Sequence, residues 1–65
     1  MSTPTLEEIK RWPATISVAE AANALGISRS HLYELIRTGE APVAVLKLGV
    51  STRVITASLV QVLGG

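Results

Sequence analysis

The chain has no cysteine and no phenylalanine, and its aromatic residues come to one tryptophan and one tyrosine. Without thiols, neither a disulfide nor a thiolate-held metal can supplement a small core. The one histidine, His31, cannot build a metal centre, because a structural zinc takes about four protein ligands. No apolar run approaches the roughly 20 residues that cross a bilayer. The opening stretch, "MSTPTLEEIK", lacks a basic region followed by a long apolar one, so no secretory signal is read there. The expectation is a soluble, cytoplasmic protein with no cofactor, no metal and no membrane partner.

Charge is scarce as well. Charged residues make up 17% of the chain, against about 25% in an ordinary domain, and the net charge is only +1. That total does not point to nucleic acid, but the distribution does more. Up to Ser28, Glu7, Glu8 and Glu20 outnumber Lys10 and Arg11; beyond it, Arg29, Arg37, Lys47 and Arg53 outnumber Glu34 and Glu40. Apolar residues are plentiful, at 48% of 65 residues. One domain near the lower limit of independent folding cannot bury them all. Exposed apolar surface is therefore expected, and such surface usually meets a partner.

Local signals divide the chain into short elements. Thr3 or Thr5 can cap a first helix running to Lys10, with Leu6, Ile9 and Trp12 on its sticky side, Glu7 and Arg11 spaced as an ion pair, and Pro13 ending it. In "SVAEAANALG", Ser17 and Glu20 have capping-box spacing. Val18, Ala21, Ala22 and Leu25 form one apolar stripe, and Gly26 stops the helix. A further helix opens at Ser28 and closes at Gly39, with Leu32, Leu35 and Ile36 facing inward. Only Ile27 separates Gly26 from Ser28, so these two helices must cross steeply, as in a helix-turn-helix. "PVAVLKLGVSTRVI" then reads as a β-hairpin whose turn comes from Gly49 with Ser51 and Thr52. Thr56 is expected to cap a last short helix with Leu59, Val62 and Leu63 on one face and Val60 beside it.

The densest polar chemistry lies in "LGISRSHLYELIRTG". On a helical wheel, Arg29, Ser30, Tyr33, Glu34 and Arg37 fall opposite Leu32, Leu35 and Ile36, with Arg29, Tyr33 and Arg37 in one i, i+4, i+8 row. Arginine offers a planar fork for guanine edges or phosphates, and hydroxyls suit phosphate oxygens. A helix of this kind fits a major groove. Two arginines on an amphipathic helix are more often a solvated face; the abrupt helix–glycine–helix joint and the basic hairpin after it favour contact with DNA. Tyr33 is read evenly as a phosphate contact or a core ring, His31 as a partly covered surface residue, and Trp12 as a packing anchor. Ser30 and His31 are helix neighbours that point about 100° apart with no third group to orient them, which argues against catalysis.

Residues 16–63, "ISVAEAANALGISRSHLYELIRTGEAPVAVLKLG…R…SL", resemble the small excisionase-type helix-turn-helix proteins, relatives of the MerR-like winged-helix domains. Ala21-Ala22, Gly26, Ser28-Arg29-Ser30, Tyr33, Gly39 and Pro42 carry the likeness. It implies a mainly α fold with a small β-hairpin, a winged helix-turn-helix spanning residues 16–65 after an N-terminal arm or short helix over residues 1–15. It also implies a non-enzymatic, nucleoid-associated excisionase, or recombination directionality factor. Such a protein binds and bends double-stranded attachment-site DNA, associates head-to-tail with its own copies and assists an integrase; no small-molecule substrate is involved. By this resemblance Arg29, Ser30, Tyr33 and Arg37 contact the groove, and Lys47 and Arg53, with Ser51 and Thr52 beside them, form the wing contact. The wing has fewer basic residues than relatives usually carry, and Val50 is read instead as an apolar tip for another protein. The same sequence also allows a small winged-helix transcriptional regulator, or a protein-interaction module without DNA binding.

Overall fold

Ser17 and Ser28 start the two central helices, and Gly26 and Gly39 stop them. In the computed structural model, which describes residues 3–64, Ser17 Oγ accepts from Glu20 N at 3.1 Å, while Glu20 returns a carboxylate oxygen to Ser17 N at 3.2 Å. This capping box opens α2 (Val18–Leu25). Gly26 closes it with φ 74°, and the Ile27 N–H reaches back to the Ala22 carbonyl at 3.0 Å. That bond six residues around is the Schellman motif, and it satisfies a carbonyl the helix would otherwise orphan. A Cβ on Gly26 would meet no atom within 4 Å; the left-handed backbone, not space, demands glycine there. Ser28 Oγ accepts from His31 N at 3.0 Å and starts α3 (Arg29–Arg37). The same motif recurs at its end, where Glu40 N donates to the Leu35 carbonyl at 2.8 Å and Gly39 has φ 77°.

The first helix, α1 (Leu6–Ile9), is a single turn: Thr5 caps it, with Glu8 completing a second capping box, and Lys10 stands at its C-cap. Glu7 and Arg11 do not pair; among the described residues the one ion pair is Glu34–Arg37. The hairpin consists of β2 (Val45–Leu48) and β3 (Ser51–Ile55). Leu48 pairs with Ser51, so the turn is Gly49-Val50, and Ser51 and Thr52, expected in the turn, lie in the strand. Gly49 has φ 63°, and among the described residues only glycines take positive φ. Glycine followed by a negative-φ residue is the type II′ pattern, whose twist matches that of a hairpin.

A strand not foreseen from the sequence, β1 (Thr15–Ser17), adds to β3 antiparallel and makes a three-stranded sheet ordered β1-β3-β2. The last helix, α4 (Thr56–Val62), is not capped by Thr56. Its N-cap is Ile55, and the Thr56 hydroxyl, nearly buried, donates to the Pro13 carbonyl instead. Thr56 N donates to the Ala14 carbonyl at 2.9 Å, and Ser58 Oγ accepts from Ala44 N at 2.9 Å. The start of α4 is thus tied both to the segment before β1 and to the segment before β2.

Helices and sheet close on one core. Ile9, Ile16, Ala21, Leu32, Val54 and Leu59 are each at most 1% exposed, with Trp12, Leu25, Leu35 and Ile36 packed around them. Ile9 brings α1 into this core, beside α4. Two helices joined by a sharp turn, followed by a sheet-borne hairpin, make a winged helix-turn-helix. Met1, Ser2 and Gly65, which the expected domain boundaries include, lie outside the described residues. No helix among those residues is long and apolar enough to cross a membrane.

Candidate nucleic-acid interface

Helix α3 is nine residues long, about 13 Å at 1.5 Å per residue. Leu32 anchors it, fully buried, with Leu35 and Ile36 partly buried on the same side. The opposite face is left to solvent: Arg29, Ser30, Tyr33, Glu34 and Arg37 are all exposed. One stripe therefore fixes the helix and the other is presented, as the wheel predicts. Tyr33 is 46% exposed and is not a core ring. His31 is exposed, and Trp12 packs on the core as expected of an anchor.

Beside this face stands the hairpin, and between them runs an open groove of about 440 Å³. Ser30, Tyr33, Glu34 and Arg37 line it from the helix, with Ile36 at its floor; Lys47 and Thr52 line it from the hairpin. Strand register explains which hairpin residues take part. Side chains alternate across a strand, and directly paired residues share a face. Val45 pairs with Val54, which is buried, so that face is the core face. Two residues toward the turn, the Lys47–Thr52 pair lies on the same face, beyond the core and over the groove. Leu46–Arg53 and Leu48–Ser51 occupy the other face.

The wing residues expected to act together are therefore divided. Lys47 and Thr52 join the α3 face. Arg53 and Ser51 do not; the Arg53 Nη2 donates to the Thr15 carbonyl of β1 at 3.1 Å, which latches the outer side of the sheet. Leu46 and Leu48 are exposed next to Arg53, and Val50 at the turn is fully exposed.

Glu34 was not among the expected site residues, yet it lies in the groove and its carboxylate accepts from Arg37 Nη2. The side chains of Arg37 and Glu34 are 70% and 58% exposed, so the pair is a surface feature and not a buried bridge. Its i, i+3 spacing was legible in the sequence. Arg29 and Lys47 have no carboxylate partner among the described residues. The electrostatics of the face thus rest on two unpaired cations and one held by a carboxylate. No cluster of metal-ligating side chains occurs among the described residues.

The chain matches the family model described as a helix-turn-helix domain over residues 15–64, from the first residue of β1 to beyond the end of α4. No curated protein and no solved structure matches it.

Proposed function

The chain belongs to the helix-turn-helix domain family, a DNA-binding family, and from that premise we propose that it is an excisionase-type accessory protein that binds and bends attachment-site DNA. The observation that carries the reading is the groove between α3 and the wing, with Ser30, Tyr33 and Arg37 facing Lys47 and Thr52. A helix with side chains is about 10–12 Å across, so one with a free face suits a major groove about 12 Å wide. Arg29 at its exposed N-terminal end is placed for base edges, since the first residues of a recognition helix are the ones that usually reach them. Lys47 and Thr52 then meet the phosphate backbone alongside. Arg53 and Ser51 reach DNA only if the strand wraps to the far face of the hairpin.

The role is architectural, with no covalent chemistry of its own. Its specific assignment to excision, with an integrase as partner, rests on the resemblance of residues 16–63 to excisionases. Copies associate head-to-tail along the DNA. The wing tip, Val50, is fully exposed, while Val62 and Leu63 at the end of α4 remain 44% and 36% exposed. The first helix contributes less to such a contact than its sequence suggests, because Ile9 is buried in its own core and Trp12 is packed on it. A wing-to-α4 contact joins unlike surfaces and so forms an open array.

One experiment tests both parts: titration of labelled duplex carrying one copy of the footprinted site, then several, over a series of salt concentrations. Each phosphate neutralised contributes about −0.9 to the slope of log affinity against log salt. Lys47→Ala flattens the slope by about 0.9, and Arg53→Ala leaves it unchanged. On multi-site DNA wild type binds each site roughly tenfold more tightly, a coupling of about 1.4 kcal/mol, and Val50→Asp abolishes that gain. Equal per-site affinity on both duplexes removes the array; salt-insensitive binding removes the phosphate contacts.

A further inference from the structure

Resting on the DNA-binding reading above, we propose that Glu34 sets the sequence preference of this domain, reading a G·C base pair together with Arg37. Glu34 carries the one carboxylate among the residues lining the groove. A carboxylate brought against DNA loses its water and faces phosphates and carbonyl acceptors, which give it no hydrogen bond. An unpaired charge left in that position is costly. In the major groove only the exocyclic amino groups donate, N4 of cytosine and N6 of adenine. Glu34 is therefore satisfied at some base pairs and penalised at the rest, and this asymmetry is what discrimination requires.

Arg37 narrows the choice. It gives one N–H to Glu34, and its guanidinium has five in a rigid fork, so donors remain for a base. The strongest match for that fork is the O6 and N7 pair of guanine. Across the major groove a G·C pair presents two acceptors and then a donor. The Arg37–Glu34 pair supplies donors and then an acceptor, the complement of that row. An A·T pair interleaves its donor between acceptors and matches it poorly. The ion pair also explains why a chain with so few cations places one beside a carboxylate. Arg37 is committed to a base, while Arg29 and Lys47 have no carboxylate partner among the described residues.

The test is selection from a random duplex library by wild type, Glu34→Gln and Glu34→Ala, with affinity for one fixed random-sequence duplex measured in parallel. Glu34 is exposed and its side chain bonds only its own helix neighbour, so far-UV circular dichroism will show all three proteins folded alike. Wild type is expected to select a G·C pair at one position and to lose roughly fivefold to a hundredfold in affinity when it becomes A·T. Both variants are expected to bind the random duplex about threefold or more tightly, with one fewer repelled charge, and to show a preference at that position at least about threefold weaker than wild type, the remainder being Arg37's own contact with guanine. Variants that retain the wild-type preference overturn this inference, as do variants that bind the random duplex no better than wild type. If binding still depends on Arg29 in that case, the DNA-binding reading stands alone. If wild type retains no duplex at all, that reading fails and this one falls with it.

Discussion

Leu32→Ala lowers the melting temperature by at least about 8 °C. Leu32 is wholly buried where α3 meets the core, and with the partly buried Leu35 and Ile36 beside it, it attaches the presented helix to the rest of the molecule. Truncating a buried leucine removes its transfer free energy and leaves a cavity, together about 2–5 kcal/mol. A domain of this length holds roughly 3–10 kcal/mol in all, and each 1 kcal/mol shifts the midpoint of so small a domain by about 4–8 °C. No disulfide cushions the loss, since the chain has no cysteine. Val50→Ser is the control: its side chain touches solvent throughout, and its melting temperature stays within about 2 °C of wild type. Thermal melts followed by circular dichroism measure both. A fall under about 4 °C for Leu32→Ala would show that α3 is not held by this contact.

Arg29→Ala weakens binding to the specific site by roughly fivefold to 150-fold, the equivalent of about 1–3 kcal/mol, without changing the melting temperature. Arg29 begins α3, is exposed, and has no carboxylate partner among the described residues. Its removal costs the fold nothing that burial or pairing supplied. A loss confined to the specific site, with preference relaxed at one position, identifies a base contact. Uniform loss on every duplex, with the salt slope flattened by about 0.9, identifies a phosphate contact. Footprinting and a salt series separate the two, and undiminished affinity on all DNAs would take Arg29 out of the interface.

How far the sequence carried depended on whether a feature is local. Ser17 with Glu20, Ser28, Gly26 and Gly39 are local signals, and α2 and α3 begin and end where they say. The presented face of α3 follows from helical spacing alone, and so it was legible. Strand β1 was not, because three residues, Thr15–Ser17, are too few to show an alternation; its existence depends on pairing with β3, far along the chain. Thr56 was misread for a related reason. Threonine is a good N-cap, but here the Pro13 carbonyl, brought near only by the tertiary fold, takes its hydroxyl. The wing shows the largest consequence. Placing Ser51 and Thr52 in the turn left the register undetermined, and register decides the face of every side chain in a strand. With the turn at Gly49-Val50, Lys47 faces the groove and Arg53 faces away. Glu34 was visible on the outward stripe, but its spacing from Arg37 reads as ordinary helix decoration until the groove is seen.

The central claim, that double-stranded DNA docks on the α3 face and the groove side of the wing, is tested most directly by titrating isotope-labelled protein with a short duplex and following its amide resonances. The perturbations are predicted to centre on Arg29, Ser30, Tyr33, Glu34 and Arg37, to continue to Lys47 and Thr52, and to leave α1 (Leu6–Ile9) and α4 (Thr56–Val62) nearly unmoved at a single-site stoichiometry. Perturbations centred on α1 or α4, or resonances that do not move at all, would contradict it.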